Sequence, residues 1–540
     1  MSVSGSPLRS IAQPDALYVA SVTLLLLPMA SGILLALSFS PGPWSILAWV
    51  ALVPLGLALR EGRNWPEFYF GMYVGGLIFQ LAHLDWIRSG SGATWLSDPR
   101  ATQWLAQGTL LAAIWPLVLW FGARFVRQAK LPMAAALPIV WVAFEFARKH
   151  LWALVDSTGY PYGQLGLTQA AWPPLIQIAD LGGVYAVSAV VAMVNGLIVD
   201  VLCWLVARPR LSARSLIVPL LIVAVALGGT WLYGTWRLSQ QVARAGPIVC
   251  LMPTGALEAI DAETAAPGSD MLPADLLIWC EGAYSRPVSI PPQETGSDKK
   301  SPEIEDMEQY ARRANASLVI GCDRVAQDKR MWNSTVVVDR RRGYVGSYDK
   351  LRLVPFSEFN PPGRPSFRDS TTDRYVHGTD YPVFTVQTVR PVRESHFAVS
   401  ICYDTCFSEL YRRYLRPPKG LMTPQFFVVP ACEDHDRGMR LQDILLKVAQ
   451  FRAIECRRAF VRNAEDGYSG IIDGNGVLIA EPPEIDFQAP AVLGRMPLDE
   501  RVSVYSLFGD WLPIAAWGAI LLQLLWSKAV ARQKGSSKAD

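Results

Sequence analysis

Apolar runs long enough to cross a lipid bilayer recur along this chain, and they constrain its fold more than any other feature. They cover residues 17–37, 44–59, 68–87, 104–121, 131–146, 181–206, 215–233 and 506–526. Crossing the hydrocarbon core takes about 20 residues, and only the second run is clearly short. Backbone in lipid finds no water to bond, so each run is expected to be a helix. The first could be read as a signal peptide. Pro14 and Asp15 precede it, however, and another apolar run follows almost at once, so an uncleaved anchor is expected. The sequence therefore predicts eight transmembrane helices, seven before residue 237 and one after residue 505.

Lys and Arg set the orientation of such a bundle. Arg9 precedes the first run, and Arg60, Arg63, Arg124, Arg127, Lys130, Arg208, Arg210 and Arg214 fall in alternate gaps. Lys528, Arg532, Lys534 and Lys538 follow the last. Both termini are expected in the cytoplasm and residues 237–505 outside it. A net charge of +3, with no basic stripe among aromatics, excludes a nucleic-acid binder. Glu145 and Arg148 share a helix face near the membrane edge and are expected to pair structurally. The gap 149–180 is rich in Trp, Tyr and Pro, which suits either a partly inserted interfacial segment or a rigid surface loop.

Residues 237–505 have the composition of a soluble domain. Runs at 248–252, 276–279, 317–321, 334–338, 397–401, 426–429 and 460–462 read as strands, and 304–316 and 441–457 as amphipathic helices. That alternation argues for an α/β layered fold. Cys402 ends one apolar strand, and Asp404 and Thr405 start a helix behind it. A sulfur at a helix N-terminus is favoured as thiolate. A nucleophilic thiolate needs a base and a positive group for the developing oxyanion. Glu281, at the mouth of the apolar strand 276–279, is partly desolvated and suits the base. Lys350 supplies the positive charge.

Glu281, Lys350 and Cys402 in these contexts resemble the Glu–Lys–Cys triad of the nitrilase (carbon–nitrogen hydrolase) superfamily. The membrane part resembles the apolipoprotein N-acyltransferase family within it. That likeness rests on Phe39-Ser40-Pro41, Asp85-Trp86-Ile87, Gly183-Val184-Tyr185 with Asn195, and Leu353 to Phe359. Arg452-Ala453-Ile454-Glu455, Arg462-Asn463 and Gly467-Tyr468-Ser469 extend it. The resemblance implies a polytopic α-helical membrane domain, residues 1–236 and 506–540, carrying a nitrilase-like α-β-β-α sandwich, residues 237–505. It implies transfer of an acyl chain from a phospholipid, through a thioester on Cys402, to the α-amine of an S-diacylglyceryl apolipoprotein. Glu281 would be the base, Lys350 the oxyanion support, and Glu358 a supporting carboxylate. The site would face the periplasm at the bacterial inner membrane. No cofactor and no metal is implied, and a monomer is expected.

Trp279, Phe356, Phe359 and Tyr403 are candidate substrate contacts, and Phe356, Phe359 and residues 361–367 a candidate lid. The chain departs from the family at Cys280, Asp404 and Ser408 and along the loop 431–438, which predicts an altered acceptor or acyl preference. Of eight cysteines, seven lie in residues 237–505. The odd count leaves one unpaired, naturally Cys402, with a Cys402–Cys406 bridge left open. A tethered amidase and a non-catalytic lipid- or lipoprotein-binding paralogue are the alternative readings.

Overall fold

The structure is a computed structural model. It describes residues 14–61, 66–87, 99–207, 212–241, 243–252, 274–289, 301–362, 374–389, 391–433, 438–481 and 492–536. A helix stands at each expected apolar run. These are Pro14–Ser38, Val53–Glu61 behind the short turns Pro43–Leu47 and Ala48–Ala51, Pro66–His83, Pro99–Ala129, Met133–Asp156, Val184–Ala207, Ile217–Ser239 and Trp511–Ser536. Among the described residues, five segments are long and apolar enough to cross a membrane, which makes this a membrane-embedded protein: Pro43–Glu61, Arg100–Ala129, Val184–Val206, Ala213–Ser239 and Trp511–Val530. The expected eight are not all matched on that measure. Met133–Asp156 carries Glu145, Arg148, Lys149 and Asp156, and these interrupt its apolar run. The final helix starts five residues later than expected, because Val504–Phe508 forms a separate helix closed by Gly509 at φ 62°.

Small residues let these helices approach. A Cβ on Gly32 would lie 2.1 Å from the Gly75 carbonyl oxygen, and one on Gly75 would lie 2.2 Å from that of Pro28. The helices Pro14–Ser38 and Pro66–His83 therefore touch backbone to backbone, as small residues allow in lipid.

Most of the gap 149–180 folds inward rather than lying as a surface loop, with Leu154 and Trp172 left exposed. Residues 158–170 are buried throughout. The side chains expected to pair with each other hold this segment instead. Arg148 Nη2 donates to the carbonyls of Tyr162 (3.1 Å) and Gly163 (2.7 Å). Glu145 Oε1 accepts from Leu165 N–H (2.6 Å) and Trp141 Nε1–H (2.8 Å). A folded-in loop presents backbone groups that must be satisfied without water, and these two charges satisfy them.

Among the described residues the soluble part has thirteen strands, β1 Arg244–Leu251, β2 Leu276–Ile278, β3 Tyr284–Ser289, β4 Ser317–Val325, β5 Met331–Asp339, β6 Gly343–Asp349, β7 Phe384–Gln387, β8 Glu394–Val399, β9 Phe426–Cys432, β10 Ala459–Glu465, β11 Gly470–Ile472, β12 Leu478–Ala480 and β13 Val492–Leu498. They form two sheets, one ordered β13-β1-β2-β4-β5-β6 with β3 beside β4, the other β12-β11-β10-β9-β8-β7. Leu276 and Ile278 enter the large core that the sheets share, while Leu277 and Trp279 enter a second core. That alternation is the period of two of a strand. The second core packs helix Pro302–Ala314, through Ile304, Met307 and Ala311, on the outside of the first sheet. Helices Ser408–Leu415 and Gly438–Cys456 bury Tyr411, Ile444 and Val448 with Phe427 and Phe460 of the other. Two sheets face each other between outer helices, as the α-β-β-α expectation requires.

The large apolar cluster does not stop at the soluble domain. It runs from Leu35 and Trp141 in the bundle through Tyr403 and Phe460 to Ile520. A polar seam reinforces it. The buried Arg457 guanidinium meets Asp180 Oδ2 at 2.7 Å, and Arg237 Nη2 meets the same oxygen at 2.7 Å. Tyr233 Oη–H donates to Asp180 Oδ1 at 2.7 Å, and Val184 N–H to Glu455 Oε1 at 2.9 Å.

Candidate active site

Each member of the expected triad follows the C-terminal end of a strand: Glu281 after β2, Lys350 after β6, Cys402 after β8. Side chains placed there point into the crevice beyond the sheet. Gly321 on β4 allows the first placement, since a Cβ there would sit 2.2 Å from the Cys280 carbonyl oxygen and 2.7 Å from Glu281 Cα.

Cys402 has φ 45°, a left-handed conformation uncommon for a side-chain-bearing residue. Asp404 braces that turn. Its carboxylate accepts from Ile401 N–H (3.0 Å), Arg352 N–H (2.8 Å) and Tyr348 Oη–H (2.7 Å), joining the Cys402 turn to the strand end that carries Lys350. Burial pushes Asp404 up to about 6.

Lys350 is 1% exposed. Its Nζ donates to Glu281 Oε1 at 2.8 Å and to Glu358 Oε1 at 2.9 Å. Burial works against this ammonium, but the two carboxylates outweigh it and hold its pKa well above that of a free lysine. Asn333 bridges the same two oxygens, at 2.6 Å to Glu281 Oε1 and 2.8 Å to Glu358 Oε1. Glu358 Oε2 accepts from Val354 N–H at 2.6 Å, and Glu281 Oε2 from Cys432 N–H at 2.9 Å. Both acids and the lysine are thereby fixed in one orientation.

Glu281, Lys350, Glu358, Cys402 and Tyr403 line one cavity of about 490 Å³. The Cys402 Sγ lies 3.6 Å from the Cys432 carbonyl oxygen. A helix N-terminus was expected to favour the thiolate of Cys402, and its surroundings oppose that. Burial, and next the Glu281 carboxylate, push the Cys402 thiol well above the ordinary cysteine range, against Lys350 and Arg462. The helix behind it is a single 3₁₀ stretch, Cys402–Cys406, too short to offset that.

Tyr403 lines the cavity. Its hydroxyl is 3.3 Å from Thr158 Oγ1 and its ring 6.2 Å from that of Tyr162, so the folded-in loop forms one wall. Trp279 does not reach the cavity. The strand alternation turns it into the second core, against Tyr310 with ring centroids 5.7 Å apart. Phe359 packs on His377 at 4.8 Å and is also absent from the cavity lining. Phe356 lines a neighbouring cleft that shares Trp86, Tyr162 and Tyr403 with the first. The expected lid 361–367 lies outside the described residues from 363 onward.

Of the divergent loop 431–438, residues 434–437 lie outside the described residues. Cys432 and Glu433 line the cavity, and Glu433 forms a buried ion pair with Arg462. No disulfide joins the described cysteines, and Cys406 is buried. Sequence reasoning missed Asn333, Trp86 and Tyr162. Asn333 stands just before the run 334–338 read as strand and carries no signature of its own. The cluster of aromatics at 152–174 was the one signal that could have found Tyr162.

Residues 31–197 match the family model described as apolipoprotein N-acyltransferase N-terminal domain, and residues 244–484 that of carbon-nitrogen hydrolase. An apolipoprotein N-acyltransferase of Geobacter metallireducens is 27% identical over 522 residues, covering 92% of this chain and 93% of that protein. One of Pseudomonas aeruginosa is 28% identical over 540 residues, covering 93% of this chain and 95% of that protein. A crystal structure of an amidase from Nesterenkonia sp. aligns at 19% identity and a TM-score of 0.34, covering 51% of this chain and 99% of that one.

Proposed function

Because this chain belongs to the apolipoprotein N-acyltransferase family, we propose that it moves an acyl chain from a phospholipid to the N-terminal α-amine of an S-diacylglyceryl apolipoprotein. The observation that carries the reading is the Lys350 ammonium held between Glu281 and Glu358 in the cavity that Cys402 lines.

Cys402 is the nucleophile. As its sulfur attacks the ester carbonyl, the thiol proton passes to Glu281, and Lys350 stabilises the tetrahedral oxyanion. The oxyanion collapses, the C–O bond breaks, and Glu281 returns the proton to the lysophospholipid that leaves. A thioester remains on Cys402. The acceptor amine attacks that carbonyl and gives its proton to Glu281. The C–S bond breaks, the amide is released, and the sulfur regains the proton. Glu358 and Asn333 act on Lys350 and Glu281 rather than on substrate. A thiol that stays protonated until a base takes its proton suits this sequence, because an idle thiolate beside lipid invites side reactions.

Both substrates are anchored in lipid, so the site belongs at membrane height. Eight helices, seven before residue 237 and one after 505, would hold residues 237–505 there on the periplasmic face of the inner membrane, with both termini in the cytoplasm. The wall that Tyr162 gives the cavity, from a loop of the bundle, supports that placement. Incubation of the purified protein with phospholipid, followed by mass spectrometry, tests the reading. One acyl chain should be found on Cys402, should be absent from Cys402→Ala, and should move to a diacylglyceryl peptide amine on its addition. Release as free acid alone would favour an amidase, and no acyl adduct on folded protein would overturn acyl transfer.

A further inference from the structure

We propose that the end of the helix bundle opposite the soluble domain binds the headgroup of an anionic phospholipid, at a site separate from the Cys402 cavity. Helix Ile217–Ser239 fixes which end this is. Its last turn carries Arg237, which joins the Asp180 seam under the soluble domain. Its first residue, Ile217, is 20 residues before Arg237, about 30 Å away along the helix at 1.5 Å per residue. Pro219, near that start, lines a cavity of about 490 Å³.

Three cations from two helix ends and a turn converge on this cavity. Arg60 lies in the last turn of Val53–Glu61 and Arg127 in the last turn of Pro99–Ala129, and Lys130 follows in the turn before Met133–Asp156. Among the described residues, Asp200 is the one acid that lines the cavity. Its carboxylate is already committed: Oδ1 accepts from Met133 N–H and Oδ2 from Ala134 N–H, each at 2.9 Å, at the start of a helix. Arg60 Nη1 stands 3.9 Å from Asp200 Oδ1. Lys130 is exposed and makes no hydrogen bond or ion pair among the described residues. Glu61 also reaches Arg60, Oε1 to Nε at 3.8 Å, so among the described residues three cations at this cavity stand against two carboxylates.

The rest of its wall decides the kind of anion. Leu131, Pro132 and Leu216 line it, and Ile217, Val218 and Leu220 beside it are half exposed. Such a surface faces lipid. A ligand there carries a phosphate toward the cations and acyl chains along the apolar rim. A basic pocket between transmembrane helices at a membrane surface is the expected receptor for an acidic headgroup. A zwitterionic headgroup fits less well, because the carboxylates its ammonium would meet are committed, Asp200 to helix N–H groups and Glu61 to Arg60.

Full-length protein in detergent, titrated with ether-linked phosphatidylglycerol and followed by native mass spectrometry, tests the proposal. The ether lipid cannot donate an acyl chain, so binding is read without turnover. One tightly held lipid is expected on the wild type. The Arg127→Gln, Lys130→Gln double variant should weaken it roughly tenfold or more, leave N-acylation rate within about twofold, and leave any weaker adduct at the Cys402 cavity unchanged. Arg127→Lys should retain binding. If the double variant loses activity through misfolding, the exposed Lys130→Gln alone decides, with a smaller loss of the same sign. Equal retention by wild type and variant would overturn the proposal, as would equal binding of ether-linked phosphatidylcholine. Displacement of the lipid by millimolar inorganic phosphate would assign the cavity to a soluble anion and overturn the lipid reading.

Discussion

Glu281 does two opposed things to Cys402. It is the proposed base, yet its negative charge is the second cause, after burial, that holds the thiol protonated. Glu281→Gln should therefore move the pH profile of Cys402 alkylation to lower pH while N-acylation falls about 100-fold or more. An unchanged profile, or a variant that still transfers acyl chains, would contradict the assignment. Asp404 gives a pH dependence of stability. Burial raises its folded pKa to about 6, above the ordinary carboxyl near 4. The folded state then binds the extra proton, so this contribution is fully present below about pH 4 and is lost as pH rises through about 6. Melting temperature should fall between about pH 4 and pH 6, and Asp404→Asn should flatten part of that slope, on the order of 2 kcal/mol. Glu455, pushed up to about 7 mainly by burial, has the same sign and should remain in the variant. The charged site residues were legible because carboxylate, ammonium and thiol at strand ends are chemically conspicuous. Trp279 was misread because its face depends on the register of β2, which the residues at 276–279, apolar on both faces, do not reveal. Asn333 was invisible because its role exists only once Glu281 and Glu358 are brought together.

At the scale of elements, the seven expected strands are all present and β3, β6, β7, β11, β12 and β13 were missed. Apolar runs mark strands buried on both faces. β3, with four of six residues exposed, and the three-residue β11 and β12 carry no such mark. The loop 149–180 shows the limit from the other side. Its composition announced something unusual but could not say that Arg148 and Glu145 would fold it inward. The seam beside it makes a prediction. Asp180→Ala would leave Arg457 and Arg237 without their shared carboxylate in a buried contact. A loss of about 3–5 kcal/mol is expected, read as a lower melting temperature and faster proteolysis at the junction. Asp180→Asn, which keeps hydrogen-bond acceptors, should cost less. A loss under about 1 kcal/mol for the alanine variant would show that the seam contributes little.

For the whole molecule, the sequence separated a membrane part from a soluble part, and composition made that division plain. It did not show that the two share one core. Tyr403, Phe407 and Tyr411 belong to the same buried cluster as Trp141 and Tyr185 of the bundle. Residues 243–501 expressed alone should therefore expose apolar surface and fail to give a soluble monomer with native circular dichroism; a well-behaved, active fragment would show that the shared core is dispensable.

The soluble domain begins on β1 and ends on β13, and these two strands pair antiparallel, Arg244 opposite Leu498. Its incoming and outgoing ends are thus neighbours. A unit closed in this way can be housed in the connection between two consecutive helices of the bundle, much as a bead hangs from a loop of thread. Such a unit can be gained or exchanged whole, and the bundle it joins need change only where the two surfaces touch.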